Sequence, residues 1–175
     1  MTKKRFPVLI ALLFIFSGCG MFESVVKSTF PYTTNLTIPA SSQPGKQYTA
    51  VNIATSYDQN FTKDGNNANH VGEVMVVSAK LRSTDPAGFN IGNLEYVKFY
   101  MAKHDGSDEI LVASRTDITK GVGNSMVLDI DNSNFLDQLV RQPDVRIRMV
   151  YKLRDGVDTD VTVKLILGLS AYPNN

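Results

Sequence analysis

Residues 145–171 read VRIRMVYKLRDGVDTDVTVKLILGLSA, and this stretch decides the fold. Odd-numbered positions carry apolar side chains from Val145 to Leu153 and again from Val161 to Ala171. Basic or polar residues occupy most of the even positions. Alternation with a period of two is the pattern of a β-strand that buries only one face. The sequence therefore predicts two long, half-buried strands.

The short stretch between these strands, residues 155–160, predicts that they pair as an antiparallel hairpin. Both strands bury odd positions, so a register that opposes one odd and one even residue is excluded. One allowed register places Arg148 directly opposite Lys164, and like charges in that position are destabilising. The other places Arg154 opposite Asp160 and separates the cations. We expect the second register.

The same alternation recurs upstream and predicts further strands. They lie at 32–38, 47–55, about 75–82, 96–103, 109–114 and 125–130. The predicted core positions of these strands are Tyr32, Thr34, Leu36, Ile38, Met75, Val77, Ala79, Leu81, Val97, Phe99, Met101, Met126, Leu128 and Ile130. About seven or eight antiparallel strands at this spacing predict an all-β fold, a β-sandwich of Ig-like or Greek-key type.

One short helix is predicted near residues 133–140. Asn132 or Ser133 can cap its first turn, and Pro143 ends it. Its apolar stripe would consist of Phe135, Leu136, Leu139 and Val140.

The first 19 residues, MTKKRFPVLIALLFIFSGC, have the pattern of an export signal. Three basic residues precede an apolar run of 11 residues, Phe6 to Phe16. A helix that spans a membrane needs about 20 residues, so this run suits a cleaved signal better. The run ends in Phe16-Ser17-Gly18-Cys19, and Cys19 is the single cysteine of the chain.

This ending resembles the lipobox of bacterial lipoproteins, with Phe16 where that motif usually has leucine. The resemblance implies cleavage before Cys19, diacylation of its thiol and anchoring in membrane lipid. An exported chain with one cysteine cannot form an internal disulfide, and acylation removes a reactive free thiol. The alternative is an ordinary secretory signal cut elsewhere. The expected organisation is a signal peptide at 1–18, an anchor and tether at 19–40, and a β-sandwich domain at 41–175.

The order of segments also resembles a set of uncharacterised envelope lipoproteins of Gram-negative bacteria, with a lipobox, a short linker and one β-domain. The matching residues lie within 75–171 and are Phe89-Asn90-Ile91, Leu94, Val97 to Ala102, Ile110, Val112 to Ser114, Asp117-Ile118, Leu128 to Ile130, Phe135-Leu136, Arg146 to Arg148 and Val161 to Val163. The resemblance implies the fold and the location and no chemistry. Gly20, where an aspartate would retain a lipoprotein in the inner membrane, implies the outer membrane, on either its periplasmic or its surface face.

The charge balance excludes bulk attraction to nucleic acid. The leader holds three of the 18 basic residues and none of the 17 acidic ones, so the formal net charge moves from +1 to −2 once residues 1–18 are removed. No cofactor motif is present. His70 and His104 are the only histidines, and His104 lies near Asp105 and Asp108. No G-x-S-x-G motif supplies a nucleophile for them, so a hydrolase is only a remote alternative and we expect no enzyme activity.

Three further patterns are weak candidates for binding. Asp155, Asp158 and Asp160 form an acidic turn that could hold calcium, although Asp also forms turns for backbone reasons. A second acidic stretch starts at Asp129 like an EF-hand, but it has Asn134 where the glycine is needed and Val140 where the glutamate is needed.

Tyr96 and Tyr100 share the outer face of one predicted strand and could stack on a glycan, or they could pack against the neighbouring strand. Arg146, Arg148 and Lys152 share another outer face, with Arg154 beyond them and Lys164 nearby. They could meet lipid phosphate or an acidic partner, or pair with Asp158 and Asp160 across the hairpin.

These patterns together predict a lipid-anchored, non-catalytic protein of the cell envelope that binds a partner or has a structural role. The alternative is a glycan- or adhesion-type binding module, with a glycan or an envelope protein as its partner.

Overall fold

The computed structural model describes residues 28–55, 71–142 and 144–173. These residues form nine strands: β1 (Ser28–Ile38), β2 (Gln47–Thr55), β3 (Val71–Asp85), β4 (Leu94–Ala102), β5 (Ile110–Arg115), β6 (Ser125–Val127), β7 (Asp129–Ile130), β8 (Asp144–Leu153) and β9 (Val161–Pro173). A 3-10 turn spans Ile91–Asn93, and one helical turn, α1, spans Asp137–Val140. No helix in the described ranges is long and apolar enough to cross a membrane.

The strands form two antiparallel sheets, which confirms the predicted β-sandwich. Sheet A has the order β1-β9-β3-β6, and sheet B has the order β2-β8-β4-β5-β7. The pairs β1–β9, β2–β8, β3–β6 and β4–β5 are nested one inside the other along the chain. The chain is therefore one long hairpin, folded back between β4 and β5, whose pairs alternate between the sheets. This is the jelly-roll form of a Greek-key sandwich.

The core lies between the sheets and is filled by the alternating positions of the central strands. Ile147, Met149 and Tyr151 of β8 enter it from sheet B, while Leu165 and Leu167 of β9 enter it from sheet A. The predicted inward face of both strands is confirmed. Phe99 of β4 is fully buried, also as predicted.

The predicted hairpin between β8 and β9 is wrong. β8 lies between β2 and β4, and β9 lies between β1 and β3, so neither considered register exists. The connection of residues 154–160 crosses from one sheet to the other instead of turning within a sheet. Alternation fixes which face of a strand is buried but not which strand lies beside it. The two strands therefore face each other across the core.

The predicted inward positions Met75 and Val77 are also wrong. Val74 and Val76 are buried in their place, and Val77 is 41% exposed. A register shift between Val76 and Ser78 explains the change, because a β-bulge adds one residue and reverses the facing of all residues on one side of it. Beyond the bulge, Ala79 and Leu81 are buried as predicted.

The predicted helix at 133–140 is shortened to α1, and Phe135 and Ile130 lie outside the core, at 55% and 42% exposure. The preceding residues follow the edge of β3 instead of coiling. The Asn132 side chain accepts a hydrogen bond from the Val76 amide (3.0 Å) and donates one to the Val76 carbonyl (2.8 Å). The Leu136 amide then donates to the Val74 carbonyl (2.8 Å). These bonds use groups that a cap would need.

Strand β1 lies in a segment that the sequence analysis assigned to the tether. Its inward residues Tyr32, Thr34, Leu36 and Ile38 are buried, as the alternation predicted. Pro31 does not interrupt the strand, because β1 is at the edge of sheet A and an edge strand tolerates a missing donor. The described part of the sandwich thus includes Ser28, and eight residues, 20–27, lie between Ser28 and Cys19 in the sequence.

We predict that Phe99→Ala lowers the free energy of unfolding by about 3–5 kcal/mol, because it leaves a cavity in a core that is otherwise filled. Urea titration measures this loss. Val127→Ala is the control, since Val127 is 70% exposed and its truncation should change stability by less than about 0.5 kcal/mol. Equal losses in the two variants would show that Phe99 is peripheral.

Candidate ligand-binding surfaces

The five residues predicted as a ligand surface lie together on the outer face of sheet B. Tyr96 is opposite Lys152 and Tyr100 is opposite Arg148 in the β4–β8 pairing, and Arg146 is opposite Ala102. We call these five residues the tyrosine–cation face. β4 and β8 are adjacent, so two patterns recognised separately in the sequence form one surface.

The tyrosines of this face are engaged by their neighbours. The guanidinium carbon of Arg148 lies 4.3 Å from the centre of the Tyr100 ring, which is a cation–π contact. The Tyr96 hydroxyl donates a hydrogen bond to Oε1 of Gln47 on β2 (2.6 Å). One face of the Tyr100 ring is therefore occupied, as in the alternative that packed these rings against the neighbouring strand.

Two cations of the face are paired with carboxylates. Arg148 donates two hydrogen bonds to Glu109, from Nε to Oε1 (2.6 Å) and from Nη2 to Oε2. Lys152 Nζ lies 3.0 Å from Oε2 of Glu95. The hydrogen bond from Arg148 holds the pKa of Glu109 below its ordinary value. The expected partners Asp158 and Asp160 are not used, because β9 is in the other sheet.

Arg154 belongs to a different surface, at one end of the sandwich. Its Nη1 donates to the carbonyls of Gly92 (2.7 Å) and Leu94 (2.8 Å). The Asn93 side chain accepts from the Asp155 amide (3.0 Å) and donates to the Asp155 carbonyl (3.1 Å). These bonds fasten the β8–β9 connection to the β3–β4 connection.

Asn90 fastens a third loop to the same place. Its Nδ2 donates to the Lys120 carbonyl (2.6 Å), and its Oδ1 accepts from the amides of Gly92 (2.9 Å) and Gly123 (3.1 Å). Gly92 lies directly against the backbone of Lys120, and a Cβ atom there would clash with the Lys120 carbonyl. The close approach of these two loops therefore requires glycine.

The three fastened loops enclose an open cleft of about 420 Å³, which we call the loop-end cleft. Its volume is in the range of small-molecule sites, about 300–1,000 Å³. Apolar and polar groups both line it, among them Phe89, Val157, Asn90, Lys120, Asp155 and Asp158. Of this set, only the aspartates were predicted from the sequence as candidate binding residues. The lining comes from three distant segments, so no local pattern could have joined Phe89 to Lys120.

The structure does not bring the three aspartates of the acidic turn together as a group of possible metal ligands. Asp160 Oδ1 accepts a hydrogen bond from the Ala40 amide (2.8 Å) and so fastens the β1–β2 connection. Across the described ranges, no three His, Cys, Asp or Glu side chains lie close enough together to hold a metal ion.

His104 has a carboxylate partner, but it is Asp144 and neither of the two expected aspartates. His104 Nδ1 lies 2.7 Å from Asp144 Oδ1. Asp105 instead accepts hydrogen bonds from the amide and hydroxyl of Ser107, and Asp108 pairs with Lys103. Within the described part of the chain no hydroxyl or thiol is hydrogen-bonded to His104. His70 and Cys19 lie outside the described residues.

We predict that Glu109→Gln lowers stability at neutral pH by about 0.5–1 kcal/mol, the size of a partly exposed ion pair. The folded-state pKa of Glu109 is depressed, so its contribution is present above the unfolded pKa and is lost as pH falls through the folded value. Urea titrations between neutral and acidic pH should show the two proteins converging. Glu73→Gln, at an exposed position, is the control, and a gap that is independent of pH would contradict the assignment.

No protein-family model matches this chain, and no curated protein sequence matches it. The solved structures that align with this chain include a capsid protein and a carbohydrate-binding module. A decameric BFDV capsid protein gives a TM-score of 0.37 at 11% identity, over 83% of this chain and 99% of that one. A carbohydrate-binding module of the β-sandwich superfamily, described as promiscuous in specificity, gives 0.31 at 12% identity, over 79% of this chain and 54% of that one. TM-scores this low support no conclusion about this chain.

Proposed function

We propose that this chain is a lipid-anchored, non-catalytic binding protein of the bacterial envelope, and that the loop-end cleft is its ligand site. The observation that carries the proposal is a cleft of about 420 Å³ whose walls are held in place by hydrogen bonds from Asn90, Asn93 and Arg154. Preformed walls lower the entropic cost of binding a ligand. The tyrosine–cation face, by contrast, satisfies much of its own charge, because Arg148 pairs with Glu109 and Lys152 with Glu95.

The address rests on the sequence. The basic residues, the apolar run and Phe16-Ser17-Gly18-Cys19 support acylation of Cys19, and Gly20 supports the outer membrane. Two or more acyl chains hold a protein at a membrane durably, at about 0.8 kcal/mol per buried CH₂.

The loop-end cleft lies at the end of the sandwich opposite Ser28, the first described residue of β1. Ser28, where β1 begins, pairs with Ala171, and Ile38, where β1 ends, pairs with Val161. The β8–β9 connection that lines the cleft therefore lies at the far end of β1. Eleven residues of strand separate the two ends, which is about 35 Å. An anchor at Cys19 thus leaves the cleft accessible from the aqueous side.

The lining favours a neutral polyhydroxyl ligand such as a glycan. A sugar presents hydroxyl groups that both donate and accept hydrogen bonds, and its C–H faces pack on apolar surface. Lys120 supplies a donor and Asp158 an acceptor, while Phe89 and Val157 supply apolar contact. The mixture of two cations, Lys120 and Arg154, with two carboxylates, Asp155 and Asp158, does not suit a strongly charged ligand.

The anchor is tested by Cys19→Ser. We predict that the wild-type protein partitions into the detergent phase, and that the variant remains uncleaved or becomes soluble, because acylation and cleavage depend on the thiol. Detergent-phase partitioning and mass spectrometry of the membrane-extracted protein measure both properties. Identical partitioning and mass for the two proteins, apart from the substitution, would contradict the anchor.

The ligand site is tested on a glycan array with the chain of residues 20–175, which retains all the described residues. We predict that Lys120→Ala and Asp158→Ala weaken binding at least about tenfold, the effect of losing one good polar contact in a site. Both side chains are exposed, so thermal melting should show folded variants. Tyr100→Ala is the matched variant on the tyrosine–cation face. Loss of binding there, with binding retained in the cleft variants, would move the site to that face.

A further inference from the structure

The outer face of sheet A carries three cations that the sequence analysis did not connect. Arg82 of β3 lies directly opposite Lys164 of β9, and Lys80 is two residues from Arg82 on the same side of β3. Lys80 and Arg82 are exposed, and Lys164 is partly exposed. We call these three residues the cationic face.

The cationic face differs from sheet B in having no carboxylate partners among the residues that the structure describes. Four lysine or arginine ion pairs lie on sheet B or its turns. Among the described residues, none involves Lys80, Arg82 or Lys164. The only acidic residues in the strands of sheet A are Glu73 and Asp85, near the two ends of β3.

The neighbours of the cations in the same rows of the sheet are uncharged. Asn35 is opposite Lys164, Ser125 is opposite Arg82, and Val127 is opposite Lys80. A directly opposed pair of like charges destabilises a sheet. The repulsion between Arg82 and Lys164 therefore lowers the folding stability slightly, and contact with an anionic surface would remove this cost.

We infer that the cationic face docks onto the phosphate headgroups of an anionic lipid bilayer. The inference rests on the proposed anchor, because the residues before Ser28 join sheet A at its edge strand β1. The eight residues from Gly20 to Lys27 reach at most about 28 Å. Asn35, level with Lys164, is seven residues along β1 from Ser28, or about 23 Å. An anchored chain can therefore lay this face on the membrane.

This orientation leaves the loop-end cleft open, because the cleft lies at the end of the strands and not on the face of sheet A. Each basic residue near an anionic surface raises partitioning about fivefold, so three raise it about a hundredfold. Without acyl chains this attraction gives only weak binding, which is measurable at low salt but does not hold a protein at a membrane durably. The acyl chains hold the protein at the membrane, and the cationic face sets its orientation.

The experiment compares the reactivity of lysines in the full-length protein reconstituted in two kinds of vesicle. One is phosphatidylcholine alone, and in the other about one third is phosphatidylglycerol. A water-soluble amine reagent that does not cross membranes is added, and mass spectrometry gives the rate at each lysine. Lys98, on the outer face of sheet B, is the internal control.

We expect Lys80 and Lys164 to react at least about fivefold more slowly on the anionic vesicles and to recover in about 0.5 M salt. Lys98 should change by less than about twofold. Equal rates at Lys80 and Lys164 on the two vesicles would overturn membrane docking and leave an acidic protein as the partner class.

A second measurement separates this inference from the anchor. The chain of residues 20–175 is sedimented with the anionic vesicles at low salt. Lys80→Gln/Arg82→Gln should lower its partition coefficient about 25-fold, and the charge-matched Lys46→Gln/Lys98→Gln by less than about threefold. If the full-length protein does not insert into neutral vesicles, the proposed lipid anchor is wrong. The sedimentation measurement alone then tests whether the cationic face docks on the membrane. Equal effects of the two double variants, or no sedimentation of the unsubstituted chain, would overturn it.

Discussion

The alternate side chains of β8 and β9 enter one apolar layer from opposite sides, and the rest of the structure depends on this arrangement. Each of the two strands is flanked on both sides within its own sheet. Burial of their odd positions therefore fixes the facing of every strand beside them. Met149 and Leu167 are both fully buried in this layer. Most of the even positions are partly exposed, although Val150 and Ser170 are buried, and both candidate surfaces on the sheets are built from outward-facing even positions.

The two outer faces treat their charge differently although they share this geometry. On sheet B, Arg148 pairs with Glu109 in the connection after β4, and Lys152 pairs with Glu95 of β4. Those local ion pairs neutralise much of the positive charge of this surface. Sheet A has almost no acidic residues with which to do the same. The distinction is one of composition in four strands, because nothing in the backbone geometry separates the two sheets.

Local alternation was sufficient to predict most of the strands, the facing of most of their residues and the sandwich, because burial of one face is a property of each segment alone. It could not predict that β8 and β9 lie in different sheets, because the neighbour of a strand within a sheet is determined by contacts between residues that are distant in sequence. The β-bulge at Val77 and the path of the chain along the edge of β3 at Asn132 were not predicted, for a related reason. Each depends on a partner strand. The outward facing of the residues of the tyrosine–cation face was predictable from the alternation of odd and even positions. The loop-end cleft was not predictable, because three loops that are distant in sequence must meet to form it.

The pairing of β1 with β9 has a consequence for how the chain reaches this state. The first described strand, β1, pairs with the last described strand, β9, so sheet A cannot close until the chain has been made as far as β9. The nested pairs also have an order, in which β4–β5 has the shortest loop to close and β1–β9 the longest. Topologies dominated by such distant pairings fold slowly. In a chain exported with its N-terminus first, β1 would leave the cytoplasm before β9 could capture it, and the order of the strands would itself keep the chain open for passage.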